Sequence, residues 1–587
     1  MKYKLIKPVN SKYSALEQVL TNRGISYEDI PHYINTTDKD INSPLLLGEA
    51  QLLIAAKILI SCISKQQYVV VVVDADCDGF TSSASLINYL YEAFPAWTQK
   101  YIRWIIHEGK QHGLSDCYDY IIEQHFALVI VPDAGSNDYS YHAKLKENNI
   151  PVIVLDHHEA EYASEDAIII NNQLSDYPNK NLSGVGITYQ FCKYIDSLLN
   201  KNYADKFLDL VALGNTADMM SLQSIETKHL INKGFEPENI HNPFIYNMWQ
   251  KNQFKLGEHI TSWGAAFYIA PFVNAMVRSG TQEEKELLFE SMLSMKAFDM
   301  IPSNKRGHKL GEEEQRVEQA IRTCTNVKNR QTRAQDAGME FLENKIAEDN
   351  MLEHKVLLFL IEPGQIDRNI AGLVANKLMA RYQRPCCVLT RVEEDNEISY
   401  QGSARGCDQV GVTHFKDICA GTGLTLFTAG HQGAFGLGIR EQDINDFIAA
   451  TDEALKDMPS EALYYVDYIY EGNEVNPQNI LDIAEMDGFW GKDLEESLIA
   501  IKGLKVTKDM VTLMSPDRTP TLKIVLPNKV SIIKFGSSQE EYNKIATDGY
   551  VKIDLVGKCN RNEWNGYVNA QILLEDYEIV DSSKYFF

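Results

Sequence analysis

Three apolar, β-branched runs in this chain each end in a carboxylate, and that pairing limits the possible folds more than any other feature. Tyr68-Val-Val-Val-Val-Val73 is followed by Asp74-Ala-Asp-Cys-Asp-Gly79. Phe126-Ala-Leu-Val-Ile-Val131 is followed by Pro132-Asp133-Ala-Gly135, and Pro151-Val-Ile-Val-Leu155 by Asp156-His157-His158. A continuous β-branched run reads as a strand buried on both faces, as in a parallel sheet. Helical stretches lie between the runs, so the fold class is α/β. In open α/β sheets, ligands bind at the carboxyl ends of the strands. The acids are therefore expected to converge in one crevice. Asp218, which follows the apolar stretch Phe207–Leu213, is a fourth candidate.

Several carboxylates within a few Å repel one another in a partly buried site. One or two divalent cations remove that cost. Carboxylate oxygen with imidazole nitrogen suits Mn²⁺ or Mg²⁺, and Mn²⁺ tolerates the histidine better. Two such ions about 3.5–4 Å apart make a phosphoryl-transfer site. A lone Asp at a strand end is as readily a turn former or helix cap, but capping does not require three acid clusters at successive strand ends. An EF-hand reading of Asp74–Gly79 fails, because position 12 is Ser85 and five valines stand where a helix should precede the loop.

Later segments change character. Residues 236–350 lack strand runs and read as a helical connector. Lys355–Ile361 and Pro385–Leu389 read as strands around an Ile370–Tyr382 helix. Beyond 500, short strands with turn residues suggest a small β-barrel: Leu522–Leu526, Val530–Lys534, Val551–Leu555 and Tyr567–Leu574. The expected division is an arm at 1–45, the carboxylate-bearing α/β domain at 46–235 and the connector at 236–350. A second α/β domain at 351–455, a linker at 456–499 and the barrel at 500–587 follow.

Charge divides the reading. Lys and Arg number 56 against 81 Asp and Glu, a net −25, which argues against a general nucleic-acid binder. Two stretches are nevertheless basic, Ile301–Ala334 and Ile501–Lys534. No apolar run approaches the roughly 18–20 residues of a membrane span, and the first residues lack the apolar core of a secretory signal. Ten cysteines are scattered without CxxC spacing, which fits free thiols in a reducing compartment. A cytoplasmic protein without membrane contact is expected.

Together these motifs resemble the DHH phosphoesterase superfamily, and within it the RecJ-like single-strand exonucleases. Asp74–Gly79 with Thr81-Ser82 is similar to the first family motif, Asp133 to the second, Asp156-His157-His158 to the third and Asp218 to the fourth. Pro271-Phe-Val-Asn274-Ala275 with Arg278 resembles a RecJ "PRINAAGR" stretch. Gly402-Ser403-Ala404-Arg405 and Gly430-His431 resemble the motifs of the DHH-associated domain, and Asn562–Gly566 a turn of the RecJ oligonucleotide-binding (OB) barrel. The resemblance implies a two-metal centre of Asp76, Asp78, Asp133, His157 and Asp218. It implies catalytic or orienting roles for Asp74, Asp156 and His158. It implies substrate contacts from Asn274, Arg278, Ser403, Arg405, Gly430 and His431. The implied activity is Mn²⁺- or Mg²⁺-dependent removal of nucleotides from single-stranded DNA, 5′→3′, in repair or recombination, by a monomer that also meets replication or single-strand-binding proteins.

Two departures stand out. The family's GGH reads Ala429-Gly430-His431. His107 stands where the family has an arginine, with Gln111-His-Gly-Leu114 after it, so a phosphate contact is expected to be either lost or moved to Arg103 or Lys110. The alternatives are a DHH phosphodiesterase of short RNAs or cyclic dinucleotides, which needs no barrel, and an inactive DHH-derived scaffold, which would have lost metal ligands.

Overall fold

A computed structural model describes residues 1–107, 111–348, 350–394, 397–459, 461–515, 519–564 and 566–583. The chain forms two compact units, one of 28–331 with 487–495, the other of 1–27, 332–486 and 496–587.

The first unit is built on a five-stranded sheet. Its strands are β1 (Val69–Val73), β2 (Ile102–Ile106), β3 (Leu128–Pro132), β4 (Val152–Asp156) and β5 (Ile168–Asn171). They lie in the order β2-β1-β3-β4-β5, and every neighbouring pair is parallel. All five valines of β1 are fully buried, each contributing roughly 1.5–3 kcal/mol relative to exposure. That burial on both faces is why the run carries no polar alternation. Helices α1 (Cys77–Ala93), α2 (Gly184–Leu199) and α3 (Leu208–Ala217) carry the site. They pack on one another, α1 against both α2 and α3. Further along, α4 (Ser262–Tyr268) and α5 (Ala270–Ser279) meet at Ile269. Within the stretch expected to be helical, Met300–Pro302 and Glu313–Gln315 pair as a short antiparallel ladder.

The second unit contains a five-stranded mixed sheet of β6 (Leu357–Ile361), β7 (Cys386–Glu394), β8 (Glu397–Arg405), β9 (Thr425–His431) and β10 (Ala434–Arg440). Its order is β9-β10-β8-β7-β6, and only β6 and β7 run parallel. A seven-stranded sheet follows, centred on the long hairpin Tyr550–Trp564 and Tyr567–Ser583. The residues read as linker are partly structured. Tyr468–Glu471 joins the edge of that sheet by pairing with Leu498–Thr507, and Leu463–Val466 pairs with Lys2–Leu5. Buried Asp467 receives the Arg23 guanidinium at 2.9 and 3.0 Å, which ties the amino-terminal segment to this unit. All ten cysteines are free and buried.

Candidate metal centre

The carboxyl ends of β1, β3 and β4 bring the acids together. Potential ligand atoms of Asp78, His157 and Asp218 lie within 4.8 Å of one another, as do those of Asp74, Asp76 and Asp133 and those of Asp133, His157 and His158. The last set shares His157 with the first and Asp133 with the second, so the three form one continuous centre.

Local folding fixes each side chain. Asp76 caps α1, its Oδ1 accepting from the Gly79 N–H at 2.9 Å. Asp78 lies in the first turn of α1 but serves the start of α2. Its Oδ1 accepts from Ser183 Oγ at 3.0 Å and the Val185 N–H at 3.2 Å, and its Oδ2 from the Gly184 N–H at 2.7 Å. A carboxylate there is favoured by the helix dipole. It has about four lone-pair sites, so one remains for an ion. Asp133 holds a left-handed backbone, φ +65°, which costs energy for most non-glycine residues but is reached readily by Asp and Asn.

Two glycines permit these approaches. A Cβ on Gly184 would lie 2.3 Å from Asp133 Oδ1. One on Gly214 would lie 2.3 Å from Asp78 Oδ1, 2.5 Å from Thr81 Oγ1 and 2.6 Å from Val185 Cγ1. Gly214→Ala is therefore expected to cost about 1–3 kcal/mol of stability through overpacking and to abolish any Mn²⁺-induced rise in melting temperature. Thermal melts with Mn²⁺ and with EDTA check both.

The donor set fits a cation. Asp133 Oδ1 and His157 Nε2 are 3.3 Å apart, and His157 Nε2 is 3.4 Å from Asp218 Oδ2. Asp133 Oδ1 and His157 Nε2 are nevertheless buried without a hydrogen-bond partner. Such orphaned polar atoms call for an explanation, and a divalent ion among them supplies one. Carboxylate oxygens with one imidazole suit Mn²⁺ or Mg²⁺.

The acid–base picture agrees. Burial first, then the neighbouring Asp78, Asp76, Asp74 and Asp218 charges, push the Asp133 carboxyl well above its ordinary value. Burial, followed by Asp78 and Asp76, raises Asp218 to about 8. Burial and Asp76 raise Asp78 to about 6 against its hydrogen bonds. Carboxyls held this high bind a cation by giving up protons.

The two histidines diverge. Burial and the adjacent His158 hold His157 down at about 4, so it is a neutral imidazole ready to donate a lone pair. Its hydrogen bond to Asp156 raises His158 to about 9, and that ring is half exposed. Asp156 organises the turn. Its Oδ1 accepts from the N–H groups of His157 and His158 at 2.7 and 3.1 Å and from His158 Nδ1 at 2.8 Å. Its Oδ2 accepts from the Ser136 N–H at 3.1 Å. Burial alone would raise this carboxyl, but the donors, led by His158, carry it well below the usual range.

Sequence reading did not single out His112. Its Nδ1 meets the Asp74 carboxylate at 2.7 and 3.0 Å. The segment Gln111-His-Gly-Leu114 contains it, but nothing there pairs it with Asp74, because the contact bridges 38 residues. His107 is fully buried beside Asp116, at 2.8 Å. Lys110, one proposed replacement for the family's arginine, lies outside the described residues. Arg103, the other, does not reach the site. Its guanidinium bonds the Lys100 and Ile102 carbonyls and lies over the Tyr68 ring, at the amino end of the sheet.

Asn274 and Arg278 lie one helical turn apart on α5. Burial lowers the Arg278 pKa while the Asp76 charge supports its cation. In the second unit, Arg405, Ala434 and His431 lie in register across three neighbouring strands, as do Ala404, Phe435 and Gly430. Ser403 and Arg405 pack over helix Arg368–Tyr382, where a Cβ on Gly372 would meet Arg405 Nη2 at 2.3 Å and Ser403 Oγ at 3.1 Å. Gly430 has φ +123°. Ala429 is outside the positive-φ residues and exposed, so its methyl group is accommodated without strain.

Residues 68–215 match the family model described as the DHH family, N-terminal domain, and residues 466–576 that described as the RecJ OB domain. A Bacillus subtilis (strain 168) protein named as a candidate SPbeta prophage-derived single-strand DNA-specific exonuclease is 33% identical over 587 residues, covering 100% of this chain and 99% of the relative. The single-stranded-DNA-specific exonuclease RecJ of the same organism is 23% identical over 98% of this chain and 70% of its own length. The crystal structure of RecJ in complex with Mn²⁺ from Thermus thermophilus superposes with a TM-score of 0.70 and 17% identity, over 99% of this chain and 80% of that one.

Proposed function

Because this chain belongs to the RecJ-like branch of the DHH family, we propose that it is a metal-dependent exonuclease that removes nucleotides from single-stranded DNA. The observation that carries the reading is the pair of buried, unpartnered atoms, Asp133 Oδ1 and His157 Nε2, set among carboxylates. Every family ligand position is filled, which speaks against an inactive scaffold. The OB-type sheet speaks against a phosphodiesterase of cyclic dinucleotides or very short RNAs.

Asp76, Asp78, Asp133, His157 and Asp218 would hold two Mn²⁺ or Mg²⁺ ions, with Asp74 steadied by His112. When bound, the ions supply Lewis acidity to the phosphodiester and acidity to the attacking water. His158, oriented by Asp156 and cationic in this setting, faces outward to stabilise charge on the phosphate or protonate the leaving oxygen. Arg278 and Asn274 would receive the strand in the first unit. Ser403, Arg405, Gly430 and His431 would hold a phosphate and nucleotide end in the second, the arginine by a bidentate fork. Direction 5′→3′ and a role in repair or recombination follow from family membership and belong to the proposal, as do a monomeric state, a cytoplasmic setting and contacts with replication or single-strand-binding proteins.

The test uses DNA labelled at either end, single- and double-stranded, with matching RNA, in Mn²⁺, Mg²⁺ or EDTA. The expected result is metal-dependent loss of a 5′ label as short product from single-stranded DNA, with duplex resistant. No cleavage of any single strand in either metal would overturn the proposal, and early loss of a 3′ label would reverse its polarity.

A further inference from the structure

The accessible side chains of α4 and α5 change character along the chain. Buried positions are Ser262, Gly264, Ala265, Ile269, Ala270, Val273, Ala275, Met276 and Val277. Trp263 and Phe267 remain accessible one turn apart on α4, and Asn274 and Arg278 one turn apart on α5, the two helices being separated by the non-helical Ile269 (φ −124°, ψ −62°). At one end is Arg278, close enough to Asp76 to feel its charge, with no hydrogen bond or ion pair among the described residues. At the other, the Trp263 and Phe267 rings lie 4.6 Å apart, tilted by 31°. Tyr268 meets Trp263 edge-on at 6.0 Å, and Lys255 Nζ lies 5.1 Å over the Tyr268 ring.

Core packing does not account for the aromatic end. Phe267 is 58% exposed, and Phe254, on the adjoining short helix, is fully exposed. Exposed aromatics in a row with a cation beside them are the ordinary means of holding single strands, with bases stacked on rings and phosphates met by positive charge. Both α4 and α5 pack against α3, and α5 also packs against α1, so they adjoin the helices that carry the carboxylate centre, which favours a nucleic-acid strand over a protein partner. Eleven residues separate Arg278 from Phe267, roughly 16 Å of helical rise summed over the two helices. That is about five nucleotides of stacked single strand at roughly 3.4 Å each.

Building on the exonuclease reading, we propose that Trp263 and Phe267 form a stacking platform for bases of the single-stranded substrate, several nucleotides from the scissile bond. The platform sets how tightly strands long enough to reach it are held. It takes no part in the chemistry, so its loss raises KM for long strands and leaves kcat unchanged. The contact is apolar stacking rather than phosphate neutralisation, so the loss is expected to persist as salt rises, unlike that of a lysine contact.

The experiment compares wild type, Trp263→Ala, Phe267→Ala, Phe267→Leu and Phe267→Tyr on oligothymidylates of 3 and 15 nucleotides, at two salt concentrations, with melting temperatures recorded. Expected is a rise of about tenfold in KM for the 15-mer in Trp263→Ala and Phe267→Ala, with the 3-mer unaffected. Phe267→Leu, which keeps apolar volume, should fail like alanine, and Phe267→Tyr should restore binding. Unchanged KM for the 15-mer in folded alanine variants that still cleave would overturn the platform and leave the exonuclease reading standing. Equal losses on 3-mer and 15-mer would also overturn it, as would full rescue by leucine. A wild-type protein that cleaves neither oligonucleotide overturns the exonuclease reading itself. Retained 15-mer binding in that protein, weakened by Phe267→Ala and restored by Phe267→Tyr, would keep the platform without it.

Discussion

Asp133→Asn is expected to abolish turnover while leaving the fold intact. Asparagine keeps the shape of the side chain and tolerates the left-handed backbone at φ +65°, where alanine would be strained. The substitution removes the carboxylate at the junction of two of the three ligand sets. It also removes a carboxyl whose ionisation is opposed by burial and by the charges of Asp78, Asp76, Asp74 and Asp218. Stability in EDTA should therefore be unchanged or slightly higher. Wild-type protein should gain stability from Mn²⁺, by about 2.7 kcal/mol at a hundred times Kd, whereas the variant should gain little. A lost ligand removes several kcal/mol of transition-state stabilisation, so activity should fall by at least about a thousandfold. Melting curves with Mn²⁺ or EDTA and an end-labelled cleavage assay measure the two effects separately. Turnover within tenfold of wild type, or an undiminished Mn²⁺ shift, would remove Asp133 from the centre.

The acids of this centre are legible in the sequence because one physical rule places them. A strand buried on both faces has no polar positions, so the first carboxylate after it marks the sheet edge where ligands bind. β1, β3 and β4 obey that rule and end within one residue of the sequence reading. β2 escaped it because Arg103 interrupts the apolar run at the sheet margin, where that residue faces solvent. β5 escaped because it is only four residues long. Contacts across long sequence separations were also invisible, as with the α2 start that Asp78 caps and the His112 imidazole on Asp74. Charge summed along a segment is an incomplete guide as well. The basic run 501–534 folds against acids from elsewhere, Lys502 with Glu471, Lys508 with Asp548 and Lys534 with Glu541. Part of its net charge in sequence is therefore neutralised in space.

His157→Gln and His158→Gln should fail in different ways, although the residues are neighbours in sequence and their rings lie 4.5 Å apart. His157 is buried and neutral, with Nε2 turned toward Asp133 and Asp218. Glutamine there weakens ion binding, so the Mn²⁺-induced melting shift should shrink, and part of the lost activity should return at high Mn²⁺. His158 is half exposed, and its Nδ1 is committed to Asp156. Its cationic ring is free to act on substrate at Nε2, which glutamine replaces with a neutral group. Loss of a positioned acid costs about 10²–10⁴-fold in rate, and here it should fall on kcat, with the Mn²⁺ shift intact and no rescue by added metal. Asp156→Asn should resemble His158→Gln in kinetics, because the Asp156 carboxylate is what keeps that imidazole charged and oriented. It should also lose stability, because Asp156 accepts three backbone N–H bonds that hold the turn. If His158→Gln loses its Mn²⁺ shift and recovers activity at high Mn²⁺, His158 is itself a ligand. The division between a neutral ligand and a charged neighbour would then be wrong.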